Sequence, residues 1–431
     1  MQPTRPGPIN LILVSIDTLR ADHVGVYGYS KPTTPAIDAF ARDAVVFRNC
    51  FAHAPATLAS HASLFTSLLP QHHGASIALE SQLAPSATTL TEVLAGAGYQ
   101  TASFNGGIQL DAAYGLDRGF DVYESVQPRS TRPQTLTGEA VRLASGVERS
   151  RAWLDHVQPP FFLFLHSYEI HHPYTPRSRD LAHFRGDYTG PLPDHISMKT
   201  LRQVNTGRRR LSKADVAHVV ATYDAELRSA DAAFGELIEI LREKRLYDDT
   251  LIVLTSDHGE EFGEHGKMGW HSHTLFDELL HVPLIIRFPG SRWAGATFDA
   301  QVRILDVAPT VLSALGLAPP PGYAGQDLLP LFGGEPATDL PLFAAIDNDA
   351  EQRPWALRAG RWKFDFRSGR LYDLGTDPHE RIDVAANHQE IVSELWREAE
   401  KQLGARARPE RTPAVPRDET VQQLRELGYV E

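Results

Sequence analysis

The chain has 431 residues, 42% of them hydrophobic, which is enough for a large α/β domain with a smaller appendage. Its formal net charge of -12 argues against nucleic acid as a partner, because that binding requires a basic surface. The single cysteine, Cys50, excludes an internal disulfide. No signal peptide is visible in residues 1–10, and no segment reaches the ~20 apolar residues needed to span a bilayer. We therefore expect a cytoplasmic protein without a membrane or nucleic acid partner.

Two apolar segments that are far apart in the chain each end at an acidic residue. Residues 10–16 precede Asp17, and residues 250–255 lead into Asp257 and His258. Such continuous apolar runs are typical of buried strands in a parallel sheet. Because open α/β sheets bind ligands at the carboxyl ends of their strands, we expect the two carboxylates to meet there. A carboxylate beside an imidazole suits Zn²⁺ or Mn²⁺, and a simple turn or cap is the competing interpretation.

The candidate nucleophile is Thr57. Apolar residues follow it at helical spacing, which predicts a helix with Thr57 at its N-cap. The N-terminus of a helix favours negative charge. A hydroxyl at that place, in contact with a divalent cation, can ionise near neutral pH and attack an ester. An ordinary helix cap is the alternative role for this threonine.

The other elements are predicted from periodicity and turn residues. Helices are expected at 34–46, 89–97, 138–156, 212–244, 303–315 and 389–403, and further strands at 161–165 and 282–288. Residues 176–207 are expected to form an insertion loop near the site. We expect three parts: a catalytic α/β domain at 1–320, a small C-terminal α+β subdomain at 321–405, and an extended arm at 406–431.

A series of motifs extends along nearly the whole chain. These motifs are Ile16 to His23, Gly25 to Gly28, Thr57 to Thr66, Pro70 to Gly74, Leu165 to Tyr174, Thr255 to Gly266, His271 to Leu284, Trp362 to Phe364 and Leu371 to Leu374. In type and order they resemble the sulfatase family of the alkaline phosphatase superfamily. The resemblance implies an alkaline-phosphatase-like α/β fold, with a mixed, mostly parallel sheet sandwiched by helices and a smaller antiparallel C-terminal part.

One departure from the family pattern concerns the nucleophile. Sulfatases carry Cys or Ser in a C/S-x-P-x-R signature, and that residue is oxidised to formylglycine. The matching segment here, Thr57 to His61, lacks the Cys or Ser, the Pro and the Arg. Threonine cannot become formylglycine by that route, so we expect none. A phosphothreonine can be hydrolysed by water under metal assistance, and the residue therefore favours phosphorus over sulfur chemistry.

The resemblance also implies roles for individual residues. The expected metal ligands are Asp17, Thr57, Asp257 and His258. Three oxygens and one nitrogen suit Mn²⁺ or Zn²⁺ better than Ca²⁺. His171 and His271 are expected to face the transferred group, to bond its oxygens and to protonate the leaving oxygen, although a second metal could instead take them. The expected substrate contacts are His166, Asn105 and His273.

Together these expectations describe a metal-dependent hydrolase that cleaves phosphate esters, phosphodiesters or phosphonate monoesters through a covalent Thr57 intermediate. Its partner is a small-molecule phosphoester or sulfoester. Two alternatives stay open: a sulfuric ester hydrolase that works without formylglycine, and a catalytically silent binding protein that keeps the pocket. The complete set of four ligands argues against the silent protein. The number of metals and the formation of a homo-oligomer are left open.

Overall fold

The computed structural model describes residues 8–75, 81–125, 142–336, 338, 340–346, 355–404 and 412–427. The strands are β1 Asn10–Ile16, β2 Val45–Phe51, β3 Ser81–Gln82, β4 Gln100–Asn105, β5 Val122–Ser125, β6 Phe161–Ser167, β7 Thr250–Thr255, β8 Glu261–Phe262, β9 Met268–Trp270, β10 His281–Arg287, β11 Thr297–Arg303, β12 Leu342–Ala345, β13 Trp355–Ala359, β14 Trp362–Asp365, β15 Arg370–Asp373 and β16 Thr412–Pro413. The helices are α1 Pro35–Ala41, α2 Thr57–Thr66, α3 Pro70–His73, α4 Leu90–Gly96, α5 Leu143–Leu154, α6 Ser178–Leu181, α7 Met198–Asn205, α8 Lys213–Glu243, α9 Asp277–Leu280, α10 Val307–Ala314, α11 Leu329–Phe332, α12 Gln389–Gly404 and α13 Asp418–Leu427.

The centre of the molecule is an eight-stranded sheet with the strand order β11-β2-β10-β7-β1-β6-β4-β5. Five neighbouring pairs are parallel, and β10 runs antiparallel to both β7 and β2. In the register of the central strands, Ser15 of β1 lies beside Thr255 of β7 and His166 of β6. The carboxyl ends of these three strands therefore meet at one edge of the sheet. The expectation of a mixed, mostly parallel sheet is confirmed.

Helices cover both faces of this sheet because its central strands are apolar on both sides. All seven residues of β1 are buried. Alternate side chains enter two different cores, since Leu11 packs with residues of α2, α4 and α10, and Ile12 packs with residues of α1, α5 and α8. A strand buried on both faces has no polar side, which accounts for its continuous hydrophobic sequence. The sandwich of helices and sheet is the arrangement that the motifs imply.

The C-terminal part is a four-stranded antiparallel sheet, β12-β13-β14-β15, with α12 beside it. Its apolar contacts include Phe364, Leu371 and Leu395. This confirms the smaller antiparallel α+β part. The last segment is not extended throughout as expected, because β16 pairs with β3 and α13 forms a helix whose Leu424 is buried in the main core. Leu424 gives α13 an apolar side, and burying that side against the main core favours the helix over an extended arm.

Several other predictions of elements need correction. The helix expected at 34–46 ends at Ala41, and its last residues belong to β2, a strand that was not predicted. The expected insertion loop 176–207 contains α6 and α7. The helix expected from residue 303 begins at Val307, and residues 138–141 of the helix expected at 138–156 lie outside the described residues. Within the parts of the chain that the structure describes, no helix combines the length and apolar character that a bilayer crossing requires.

Candidate active site

Asp17 and Asp257 come together at the carboxyl edge of the central sheet, as their positions after β1 and β7 predict. Asp257 Oδ1 accepts a hydrogen bond from the backbone N–H of Thr18, at 3.3 Å, and the Ser256 hydroxyl accepts one from the N–H of Leu19, at 2.9 Å. The two strand ends are thus tied to each other directly. Both carboxylates are fully buried. One oxygen of each lies within 4.8 Å of the other, and two buried carboxylates this close need either a shared proton or a cation.

Thr57 lies against this pair, at the beginning of α2. It is the first residue of the helix, and the N-cap is Ala56, so the predicted cap role is wrong by one position. The Thr57 hydroxyl donates to Asp17 Oδ2 at 3.0 Å. The helix is held in place because the Ser60 hydroxyl donates to the Asp257 carbonyl oxygen at 2.7 Å. In the first turn of the helix, the backbone N–H of Leu58 donates to Gln109 Oε1 at 3.1 Å.

The donor atoms around Thr57 fit a divalent cation. One oxygen each from Asp17 and Asp257 and one nitrogen from His258 lie within 4.8 Å of one another. Asp17 Oδ1, Asp257 Oδ2 and His258 Nε2 are buried and have no hydrogen-bond partner among the described residues. His258 Nδ1 donates to the Gly259 carbonyl at 2.9 Å, so its Nε2 carries the lone pair. Buried polar atoms without partners are costly, and a bound cation would satisfy all three.

The two carboxylates differ in their electrostatic surroundings. Burial, followed by the charge of Asp257, raises the pKa of Asp17 well above its usual range. Burial alone would also raise the pKa of Asp257, but the neighbouring imidazoles of His258, His61 and His166 outweigh it and lower that pKa. Asp257 is therefore the ionised member of the pair, and Asp17 is the one that can hold a proton.

Two further histidines support the carboxylates. His166, expected as a substrate contact, accepts a hydrogen bond at Nδ1 from the Gly106 N–H at 3.3 Å, so its Nε2–H faces Asp17 Oδ2, also at 3.3 Å. His61 was not predicted as a site residue. Its Nδ1 is 2.8 Å from the Thr57 carbonyl oxygen and 3.6 Å from Asp257 Oδ2. The sequence could have indicated His61 through its spacing of four residues from Thr57, because this spacing places both side chains on one face of the helix.

Three imidazoles form a second group at the same edge: His171, His172 and His271. All three are buried, and one ring nitrogen from each lies within 4.8 Å of the other two. Glu260, three residues after Asp257, accepts hydrogen bonds from His172 Nδ1 at 3.2 Å and from His271 Nδ1 at 3.1 Å. The predicted pair His171 and His271 is thus brought together. Glu260 was not predicted from the sequence as a member of this group.

These three imidazoles lie next to the donor atoms of Asp17, Asp257 and His258, since the ring centroids of His258 and His271 are 4.5 Å apart. Burial lowers the pKa of His271 to about 4, against the opposing charge of Glu260. Burial and the neighbouring His172 hold the pKa of His171 well below its usual range. Both imidazoles are therefore neutral near pH 7, and neutral rings are ligands or acceptors more readily than acids.

The two remaining predicted substrate contacts, Asn105 and His273, differ in their availability. Both ends of the buried Asn105 amide are engaged locally, as Nδ2 donates to the Ser103 hydroxyl at 3.0 Å and Oδ1 accepts from the Gly107 N–H at 2.8 Å. Asn105 therefore stabilises a local turn after β4. His273 is exposed, stacks on Trp270, and lines a cavity of about 150 Å³ beside the C-terminal sheet.

Comparisons with known proteins agree with this architecture. The family model described as Sulfatase matches residues 9–317, and that described as N-sulphoglucosamine sulphohydrolase, C-terminal, matches residues 263–405. Arylsulfatase K of Canis lupus familiaris is 24% identical over 453 residues, which cover 90% of this chain and 81% of that protein. Delta 4,5-hexuronate-2-O-sulfatase of Bacteroides thetaiotaomicron is 23% identical over 421 residues, covering 89% and 86%.

Among solved structures, the phosphonate monoester hydrolase of Agrobacterium radiobacter superimposes with a TM-score of 0.74 at 22% identity. The match covers 92% of this chain and 96% of that one. At this identity the likeness shows the shared fold. The Sulfatase model spans well over half of the 431 residues, including both strand ends and α2. The chain therefore belongs to the sulfatase family and has its alkaline-phosphatase-like fold.

Proposed function

We propose that this family member is a metal-dependent hydrolase that cleaves phosphate esters, phosphodiesters or phosphonate monoesters through a covalent intermediate on Thr57. The observation that carries the proposal is the Thr57 hydroxyl itself. It is the alcohol of a threonine, buried at the start of α2, and it donates to Asp17 at 3.0 Å beside donor atoms that fit a cation. An alcohol in this setting is a suitable nucleophile for an ester of phosphorus.

The chemistry of threonine supports phosphorus over sulfur as the reacting atom. A formylglycine hydrate releases sulfate by collapsing to an aldehyde, and a threonine ester has no such exit. A phosphothreonine is instead opened by water that attacks phosphorus. The fold shared with a phosphonate monoester hydrolase is consistent with this assignment. The sequence relatives are sulfatases, and sulfate esters are therefore the second candidate substrates.

The residues that would hold the cation are Asp17, Asp257 and His258, with the Thr57 oxygen as the fourth ligand. Two carboxylates, a hydroxyl and an imidazole suit Mn²⁺ or Zn²⁺ better than Ca²⁺, which prefers six to eight oxygens. A bound divalent ion supplies positive charge that lowers the pKa of the hydroxyl and balances the charge of the phosphoryl oxygens.

In the proposed first step, Thr57 Oγ1 attacks phosphorus in line with the leaving oxygen. The new Oγ1–P bond forms as the bond from phosphorus to the leaving oxygen breaks. The hydroxyl proton passes to Asp17 Oδ2, to which the hydroxyl already donates. His166 and His61 position Asp17 and Thr57 through their hydrogen bonds. Water then attacks phosphorus on the opposite face and breaks the Oγ1–P bond. Asp17 returns its proton to Oγ1, and the proton that the water loses balances the oxyanion released in the first step.

A panel of aryl substrates tests this proposal. With no formylglycine precursor at position 57, turnover of an aryl phosphodiester or phosphonate should exceed that of the matching aryl sulfate by at least about tenfold, or roughly 1.4 kcal/mol of barrier. The kcat/KM values of each pair are measured with purified protein after dialysis against Mn²⁺ or Zn²⁺. Faster turnover of the sulfate would establish the sulfatase alternative in its place. Metal binding without turnover of any ester would favour the silent binding protein.

A further inference from the structure

We propose that the cavity beside the C-terminal sheet binds the organic part of the substrate, and that this part is a six-membered ring with an anionic group of its own. We refer to it as the distal cavity. Its volume is about 150 Å³, and residues 273–276 and strands β13, β14 and β15 contribute to its walls. The inference rests on the proposed function, because it names the class of substrate for that site. Its test compares ligands that differ only in the second charge, so it can fail while phosphoester hydrolysis holds.

A row of stacked rings connects the distal cavity to the candidate active site. Trp270 stacks on His172 with ring centroids 5.8 Å and planes 6° apart, and His273 stacks on Trp270 with centroids 5.4 Å and planes 9° apart. His172 lies beside His271, with ring centroids 5.2 Å apart. Because His273 lines the cavity only two residues after His271, their Cα atoms are at most about 7 Å apart. The cavity is therefore within reach of a ring that is attached to the reacting group.

Much of the lining of the distal cavity is apolar or aromatic. Leu275, Ile346 and Ala356 contribute to it, and Phe276 and Tyr372 meet edge to face with ring centroids 6.1 Å apart. An apolar cavity of about this volume admits one benzene-sized molecule. Ligand sites commonly combine such walls with a few polar groups that fix the orientation of the ligand. The size and the walls thus favour one ring as the occupant.

The exposed part of the lining is basic. Arg367 and Arg370 are exposed there. The pKa of His273 is lowered first by partial desolvation of its stacked ring and then by the charges of Lys267 and Arg367, so both cations lie close to this imidazole. Neither Lys267 nor Arg367 forms an ion pair with another residue that the structure describes. In a chain of net charge -12, cations grouped without counter-charges favour an anionic ligand.

The two carboxylates that line the cavity each have another cation to balance. Asp365 lies opposite Arg370 in the pairing of β14 with β15, and its Oδ1 accepts a hydrogen bond from the Arg367 backbone N–H at 2.9 Å. Glu380 lies 2.8 Å from the buried Lys363 ammonium. The positive charge around His273 is therefore left without compensation from the lining. An anionic group on the bound ring can supply it.

The test uses two esters built on the phosphorus centre that the full-length protein turns over fastest. One leaving group is para-(carboxymethyl)phenol and the other is para-(carbamoylmethyl)phenol, which match in shape and in the basicity of the leaving oxygen. We expect the wild type to prefer the carboxylate by at least about tenfold in kcat/KM, and Arg367→Gln to lose most of that preference. Arg245→Gln is the matched control and should keep it, because this exposed residue connects α8 to the amino end of β7.

A measurement without turnover separates this inference from the proposed function. In calorimetric titration, para-hydroxyphenylacetate should bind the wild type about tenfold or more tightly than it binds Arg367→Gln or Lys267→Gln. The corresponding amide should bind all three proteins weakly. Equal affinities for the acid and the amide, or one ester preference shared by wild type and Arg367→Gln, would overturn the assignment. Activation of the neutral ester by free acetate, without a preference for the attached carboxylate, would indicate an effector site and would overturn it as well.

Discussion

The Thr57 hydroxyl donates a hydrogen bond of 3.0 Å to Asp17 Oδ2, although the two residues are separated by 40 positions in the chain. One belongs to the first turn of α2 and the other follows β1. The bond connects the proposed nucleophile to a proposed metal ligand that can also receive its proton. A covalent mechanism needs an attacking hydroxyl and a group that accepts its proton, and this hydrogen bond brings the two together.

The first prediction separates the nucleophile from a structural threonine. Thr57→Val keeps the branched shape and removes the hydroxyl, so kcat should fall by at least about 10³-fold, or roughly 4 kcal/mol of barrier. Thr57→Ser keeps a hydroxyl and should retain partial activity. The matched control is Thr376→Val, at an exposed turn, which should leave kcat unchanged.

The covalent intermediate itself can be observed in the same experiment. Mass spectrometry of an acid-quenched reaction should show an added phosphoryl or phosphonyl mass on the peptide that contains Thr57. Activity of Thr57→Val close to that of the wild type would contradict covalent catalysis, and direct attack by water would then replace it.

The second prediction concerns the metal site of Asp17, Asp257 and His258. Asp257→Asn and His258→Ala should each lose one bound metal ion per chain, because each removes a ligand whose buried atom has no other partner among the described residues. The midpoint of thermal unfolding should then respond less to added Zn²⁺ or Mn²⁺, since only folded protein binds the ion.

A conservative change at an exposed acid provides the control for this second prediction. Asp299→Asn removes a carboxylate whose side chain is 83% exposed, and it should alter neither the metal content nor the thermal shift. Unchanged metal content in both Asp257→Asn and His258→Ala would disprove the ligand assignment.

The third prediction is an acid dependence of stability that arises from His53. Burial lowers the pKa of His53 from 6.5 to about 3, and its Nδ1 donates to the Phe343 carbonyl oxygen. At pH values between about 3 and 6.5, His53 binds a proton in the unfolded chain but not in the folded chain. The free energy of unfolding therefore falls as the pH decreases from about 6.5. His53→Gln retains a donor and should reduce this slope by up to about 1.4 kcal/mol per pH unit.

Urea unfolding at pH 5, 6 and 7 measures the contribution of His53. Other buried histidines contribute to the slope in both proteins, so the difference between wild type and His53→Gln isolates this one. His156→Gln is the control, because its exposed side chain is solvated in the folded and the unfolded chain. Equal slopes for wild type and His53→Gln would refute the prediction.

The fourth prediction concerns the contact between the C-terminal sheet and α9. The buried Lys363 ammonium lies 2.7 Å from Asp277 and 2.8 Å from Glu380, and Arg358 also pairs with Asp277. Lys363→Met preserves length but leaves buried carboxylates with one cation fewer. Breaking such a network should lower the free energy of unfolding by about 3–5 kcal/mol.

Chemical denaturation of the Lys363 variant measures that loss. Lys401→Met, at a side chain that is 80% exposed, is the matched control and should change stability little. Adding Glu380→Gln to Lys363→Met should recover part of the stability, because it removes one uncompensated charge. An unchanged free energy of unfolding in Lys363→Met would show that the ion pairs do not stabilise this contact.

The sequence by itself determined the central strands and the meeting of their acidic ends. β1 and β7 have the predicted bounds because continuous apolar runs are unambiguous when a strand is buried on both faces. The approach of Asp17 to Asp257 follows from parallel pairing, which aligns carboxyl ends at one edge of a sheet. By contrast, β2 was missed, since its Arg48 and Asn49 interrupt the apolar run and its start resembles the end of a helix.

Only the tertiary structure decided how the histidines are arranged. His61, His172 and Glu260 acquire their roles from hydrogen bonds to residues that come from other strands and loops, and a sequence pattern carries no record of such partners. The tautomer of each imidazole likewise depends on which oxygen faces its Nδ1. Composition and spacing can predict which residue types form a site. Their distances and protonation arise from long-range packing, which decides which atoms remain available to a metal or a substrate.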